Sequence, residues 1–178
     1  VNTIAFDLDG QRILTYNRDH LTRIWSMGND TEPIALKKHS HWVTTGAFSP
    51  SGAQVVTGGR DRAVYLWTLP KEGAVPEPTR VHSHEHTVTR VAFSADGLLI
   101  ASATQGGSVH ISRVGSNYEA ETLKIAALPD AVESIAFSAD GKQLLAIGQS
   151  DTVTLWDLDL PLPAPPAAAP PPPASDAP

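Results

Sequence analysis

The stretch RVHSHEHTVTRVAF sets histidines at alternate positions, His82, His84 and His86, and KKHSHWVTTGAF repeats the pattern with His39 and His41. Imidazole nitrogen is a common metal ligand, and alternate residues of a strand share one face, so this spacing offers a chelate. Zinc, however, needs several nitrogens within about 2.1 Å of a single point. His39 and His84 stand at equivalent places in two consecutive repeats, and packed sheets lie about 10 Å apart. The two groups are therefore expected not to converge, and no metal or cofactor is expected. Asp9, Asp19, Asp61, Asp96, Asp140 and Asp151 raise the question of acid–base hydrolysis. Asp9, Asp96 and Asp140 fall in equivalent turns, where aspartate is a turn former. Such repetition marks architecture, since a catalytic pair would not recur in every unit. No G-x-S-x-G, H-E-x-x-H or phosphate-binding glycine loop is present, and there is no cysteine. No catalytic residue is assigned.

The elements that must position these side chains repeat along the chain. Four segments align without gaps, with phenylalanines at Phe6, Phe48, Phe93 and Phe137 and glycines at Gly10, Gly52, Gly97 and Gly141. Both series are spaced by 42, 45 and 44 residues. Each unit reads as a short apolar strand (TIAF, RVAF, SIAF), a turn closing on glycine, a second strand (RILTY, QVVTG, LLIAS, QLLAI) and a third (LTRIW, AVYLW, SVHIS, TVTLW). The connecting segments hold candidate fourth strands at PIALKK, PTRVHS and ETLKIAA. A twisted four-stranded sheet repeating every ~40–45 residues predicts an all-β propeller.

The segments HSHWVTTGAFSPSGAQVVTGGRDRAVYLWTL and FSADGKQLLAIGQSDTVTLWDL resemble the WD-repeat β-propeller family, and the likeness covers residues 1 to about 158. It implies four blades, at about 1–38, 39–83, 84–127 and 128–160. It also implies a hydrogen-bonded network in each blade, built from a histidine nine residues before the phenylalanine, a Ser or Thr, an Asp and a Trp. Blade two carries the full set, His39, Thr57, Asp61 and Trp67. Blade one keeps Thr15, Asp19 and Trp25. Blade three keeps His84 and Ser102, with Gly106 and Ser112 in place of the Asp and Trp. Blade four keeps Trp156, with Leu128 and Ser150 at the His and Asp places and Asp151 one position off. Blades three and four are thus expected to be less well pinned than blade two. With His84 turned into its blade, only His82 and His86 remain for a metal.

The resemblance also places partner contacts at one end of the channel. Trp42 precedes the first strand of blade two, with Thr87 at the matching place in blade three. Arg18 and Arg60 precede the turn aspartates, and Gln105 and Gln149 match them. Trp and Arg are the residue types most enriched at binding hot spots. A net charge of −6 argues against nucleic-acid or anionic-membrane partners, and no apolar run reaches the ~18 residues of a membrane span. Nine of the 15 prolines lie in residues 161–178, which predicts a disordered tail of polyproline II character and no outer strand after blade four. Because Val1 already reads as part of a strand and blade four lacks an outer one, the chain is expected to be the C-terminal part of a longer propeller whose missing N-terminal blades close the ring. The expected function is non-catalytic: a cytoplasmic protein-interaction scaffold that presents its blade loops to a protein or peptide partner. The alternative is a regulatory or sensor propeller appended to an upstream kinase or nucleotide-switch ATPase.

Overall fold

A computed structural model describes residues 3–28, 31–70, 76–114 and 122–158. The proline-rich segment 161–178 lies outside the described residues. Among the described residues fifteen strands form four antiparallel meanders. The first sheet is β1 (Thr3–Phe6), β2 (Arg12–Tyr16), β3 (Leu21–Ser26) and β4 (Ile34–Lys37). The second is β5 (Val43–Phe48), β6 (Gln54–Gly59), β7 (Ala63–Thr68) and β8 (Pro78–Ser83). The third is β9 (Val88–Phe93), β10 (Leu99–Thr104), β11 (Ser108–Arg113) and β12 (Thr122–Ala127). The fourth has three described strands, β13 (Val132–Phe137), β14 (Gln143–Gly148) and β15 (Val153–Asp157). The all-β architecture expected from the repeat is observed, and the three predicted connecting strands coincide with β4, β8 and β12. Among the described residues no helix is long and apolar enough to cross a membrane.

Two backbone devices recur in every blade. Gly10, Gly52, Gly97 and Gly141 close the first hairpin with φ between +66° and +73°. That conformation costs glycine nothing and strains most other residues. The second hairpin needs the same left-handed turn, yet His20, Arg62 and Asp151 supply it in blades one, two and four, with Gly107 in blade three. Asp151, one place off as a network residue, is therefore the left-handed corner of its turn. A side-chain tie reinforces the first hairpin. Ser94 Oγ accepts from the Leu99 amide at 2.9 Å and Ser138 Oγ from the Gln143 amide at 2.9 Å, while Asp7 takes this role for Arg12 at 3.0 Å.

The core lies between blades, because strand alternation sends neighbouring residues to opposite faces. In β6 and β7, Val55, Ala63, Tyr65 and Trp67 pack with Leu14, Ile24 and Leu36 of blade one. Val56, Val64 and Leu66 face the other way, onto Val88, Val91 and Ile100 of blade three. The third seam joins Leu99, Ala101, Val109 and Ile111 to Leu128, Val132, Leu144 and Ala146 of blade four. Polar ties supplement these seams. Arg12 bridges Asp7 of its own blade to the Gly52 carbonyl of the next, both at 2.7 Å. The Thr44 hydroxyl lies within donating reach of the Gly58 carbonyl of its own blade and of the Val88 carbonyl across the next seam. The two outermost faces are apolar: Ile4 and Phe6 at one end and Val153 and Leu155 at the other are all more than half exposed.

Candidate functional site

Blade two brings its four network residues together. Trp67 Nε1–H donates to Thr57 Oγ1 at 2.9 Å, and the Thr57 hydroxyl lies 2.8 Å from His39 Nε2. His39 Nδ1 lies 2.9 Å from both oxygens of Asp61. With Thr57 donating to Nε2, the histidine carries its proton on Nδ1 and passes it toward the carboxylate. Asp61 also accepts from the backbone amides of Ser40 (3.0 Å) and Ala63 (3.2 Å). Burial would raise the Asp61 pKa, but the His39 contact and these two amides outweigh it and hold the carboxyl below its ordinary value. Thr57 and Trp67 are buried and the His39 side chain is 1% exposed. Every polar group in the relay is paired, which is what makes its burial tolerable.

The other blades depart from this in distinct ways. In blade one Trp25 Nε1–H donates to Thr15 Oγ1 at 2.9 Å, but the indole is 41% exposed. Asp19 there accepts from the Leu21 amide and pairs with Arg23 at 2.7 Å. In blade four Leu128 is buried at the histidine position. Its turn is tied by a reversed pair: Asp130 accepts from the Ser150 amide at 2.6 Å and from the Ser150 hydroxyl. The serine standing in for the turn aspartate is thus the donor, and the carboxylate comes from the preceding segment. Trp156 packs, half-buried, against the core of the third seam.

Blade three is the most altered. His84 Nε2 meets Ser102 Oγ at 2.9 Å, as the resemblance implies. With glycine at position 106, His84 Nδ1 is buried and, among the described residues, has no hydrogen-bond partner. The exposed His86 ring lies against Gly106, in space a side chain there would claim. Two other imidazoles crowd His84: His82 at a ring-centroid separation of 4.6 Å and His110 at 4.7 Å, with His82 and His110 themselves 4.6 Å apart. Burial first, and then the His110 and His82 rings, push His84 down to about 3. Burial lowers His82 as well. The histidine cluster that forms is thus His82, His84 and His110 rather than His82, His84 and His86. The signal for His110 was in the repeat, since SVHIS aligns with AVYLW and puts His110 at the register of Tyr65. His41 stays exposed and stacks on His20 at 5.8 Å.

The rim residues converge by a repeated backbone tie. The Arg60 amide donates to the Trp42 carbonyl (2.8 Å), Gln105 to Thr87 (2.9 Å) and Gln149 to Ala131 (2.9 Å). Arg60, Thr87, Gln105 and Gln149 thereby line one open groove with Arg90 and Glu133. Trp42 stands beside it, half-buried, with two guanidinium groups over its ring, Arg18 at 4.7 Å and Arg60 at 4.4 Å from the ring centre. Arg60 thus belongs to both the cation–π stack and the groove wall.

Known proteins match this arrangement. The family described as WD domain, G-beta repeat matches residues 32–68, 76–111 and 123–157. Transducin beta-like protein 3 of Bos taurus is 32% identical over 158 residues, 86% of this chain and 19% of that protein. The U3 small nucleolar RNA-associated protein 18 homolog of Arabidopsis thaliana is 28% identical over 160 residues, 89% of this chain and 29% of that protein. Human WD repeat and SOCS box-containing protein 1 is 34% identical over 73 residues, 40% of this chain and 17% of that protein. The chain thus spans less than a third of the length of these curated relatives. With three matched repeats on four blade-like sheets, and the His–Thr–Asp–Trp relay assembled in one of them, the chain belongs to the WD-repeat family.

Proposed function

We propose that this chain is a non-catalytic docking platform that takes a carboxylate-bearing segment of a partner protein at the rim formed by Arg18, Trp42 and Arg60. WD-repeat proteins act as protein-interaction scaffolds, and that coarse role fits the fold. The observation that carries the finer reading is Trp42 with two arginines over its ring, one of which also walls the groove with Thr87, Gln105 and Gln149. Stacking on an indole fixes a guanidinium plane and leaves its N–H edge free to grip a carboxylate in two parallel bonds. The groove beside it supplies amide and hydroxyl groups for a peptide backbone. Further blades that cover Ile4 and Phe6 at one end and Val153 and Leu155 at the other are part of this reading, since both faces are apolar and open.

Selection of a random peptide library on the protein tests the reading. Enriched peptides should carry Asp or Glu, and Trp42→Ala or Arg60→Ala should weaken them at least about tenfold, the size of a hot-spot loss. Peptides without acidic residues, or peptides indifferent to both substitutions, would overturn it.

A further inference from the structure

We propose that His82, His84 and His110 form a metal site at the seam between blades two and three, taking a divalent transition ion of the zinc class. The three come from separate strands and turns. His82 lies on β8, the outer strand of blade two, opposite Val64. His84 follows that strand and is tied by its amide to the Arg62 carbonyl at 2.8 Å. His110 lies on β11 of blade three, opposite Ser102. One ring nitrogen from each falls within 4.8 Å of the others. The ligand atoms of a tetrahedral zinc stand about 3.3 Å apart, so small χ rotations close the set.

His84 carries the argument. A metal-bound histidine typically donates its second ring N–H to an oxygen, which fixes the tautomer and aims the lone pair. His84 Nε2 faces Ser102 Oγ at 2.9 Å, and with that N–H donating, Nδ1 is left as a bare acceptor. In blade two the same Nδ1 is committed to Asp61; in blade three Gly106 removes that acceptor. A buried ring nitrogen without a partner is costly, and a cation is one way to satisfy it. The ligand chemistry selects the ion. Three imidazoles without a carboxylate suit zinc, copper or nickel and disfavour calcium or magnesium. Bound there, the ion would staple the outer strand of one blade to the next, and a ligand held only by the folded state stabilises it.

The test is zinc titration of the EDTA-stripped full chain by calorimetry, with cobalt absorption as a variant-free second readout. One zinc per chain is expected, with intense tetrahedral cobalt bands and a raised melting temperature. His110→Phe, which installs an aromatic ring where blade two has Tyr65, should lose the site, as should His82→Ala. His86→Ala should keep it. Ser102→Ala should weaken binding by about 10-fold or more, the typical effect of losing such a supporting group. Absence of stoichiometric zinc, octahedral cobalt spectra, or binding that survives His110→Phe and His82→Ala but fails in His86→Ala would each overturn the site. Should a variant unfold by circular dichroism, the wild-type stoichiometry and cobalt spectrum decide alone.

Discussion

The seams on either side of blade two both have apolar cores, but they differ at a few equivalent registers. Toward blade one, Leu36 sits opposite Thr22 and packs on Tyr65 and Trp67, while His39 is consumed by Asp61 and Thr57. Toward blade three, the corresponding places hold His82, His110 and Ser112, and His84 keeps only its Ser102 contact. At the first seam these registers hold Leu36, Tyr65 and Trp67, and both ring nitrogens of His39 are paired. The other gathers imidazoles around an unsatisfied nitrogen. The difference turns on one carboxylate. Where Asp61 is present the histidine is an internal strut; where Gly106 replaces it, the same histidine keeps a coordination position open.

The largest effect should come from the seam toward blade one. Trp67→Ala removes a buried indole and leaves Thr57 without its donor, so chemical denaturation should show a loss of about 3–5 kcal/mol. Asp61→Asn should cost less, about 1–3 kcal/mol, because an amide cannot accept from Ser40, Ala63 and His39 together. This variant also carries a pH signature. The Asp61 carboxyl titrates lower in the folded than in the unfolded chain. Its stabilisation is therefore complete above the ordinary aspartate value of about 3.9 and is lost as pH falls through the lower folded one. Plotted against pH, the stabilities of wild type and variant should run parallel down to about pH 5 and begin to close below about pH 4. Curves that stay parallel would remove Asp61 from the relay.

The regular parts of this architecture were legible because they repeat. Glycine at one register of each first hairpin, and phenylalanine four residues before it, announce β-hairpins whose φ the backbone then shows. The His39 relay was legible as a set, since all four residue types stand at their places. What the sequence concealed were substitutions that change a role rather than delete it. Ser150 reads as a lost aspartate, yet the tie survives with Asp130 supplying the carboxylate from the other side. His110 reads as one more polar residue on a third strand. Its meaning depends on which outer-strand residue reaches it across the seam, and a bulge between Val64 and Tyr65 sets the register that presents His82. Pairings across blades are long-range, and spacing along the chain does not encode them.

Restoring the missing carboxylate should move blade three toward blade two. Gly106→Asp needs the His86 ring out of the way, so the informative variant is Gly106→Asp with His86→Ala. An aspartate there offers His84 Nδ1 the acceptor it lacks, and a paired buried histidine should gain about 1 kcal/mol in the metal-free chain. The same pairing should weaken zinc, because a protonated Nδ1 no longer offers a lone pair. A variant that is more stable and still binds zinc as tightly would break the link between the absent aspartate and the open histidine.

The smallest expected effect isolates solvent from geometry. Trp25→Phe in blade one deletes a 2.9 Å indole–threonine hydrogen bond of the same length as that of Trp67, but on a side chain 41% exposed. Water can replace the lost partner of Thr15, so the cost should stay below about 1 kcal/mol. Trp67→Phe makes the identical chemical deletion at a buried site. There Thr57 keeps only His39, and the cost should rise to about 1–3 kcal/mol. Equal losses at the two positions would mean that burial does not set the strength of the relay. A clear excess at Trp67 would show that the bond has structural value only where the neighbouring blade seals it from water.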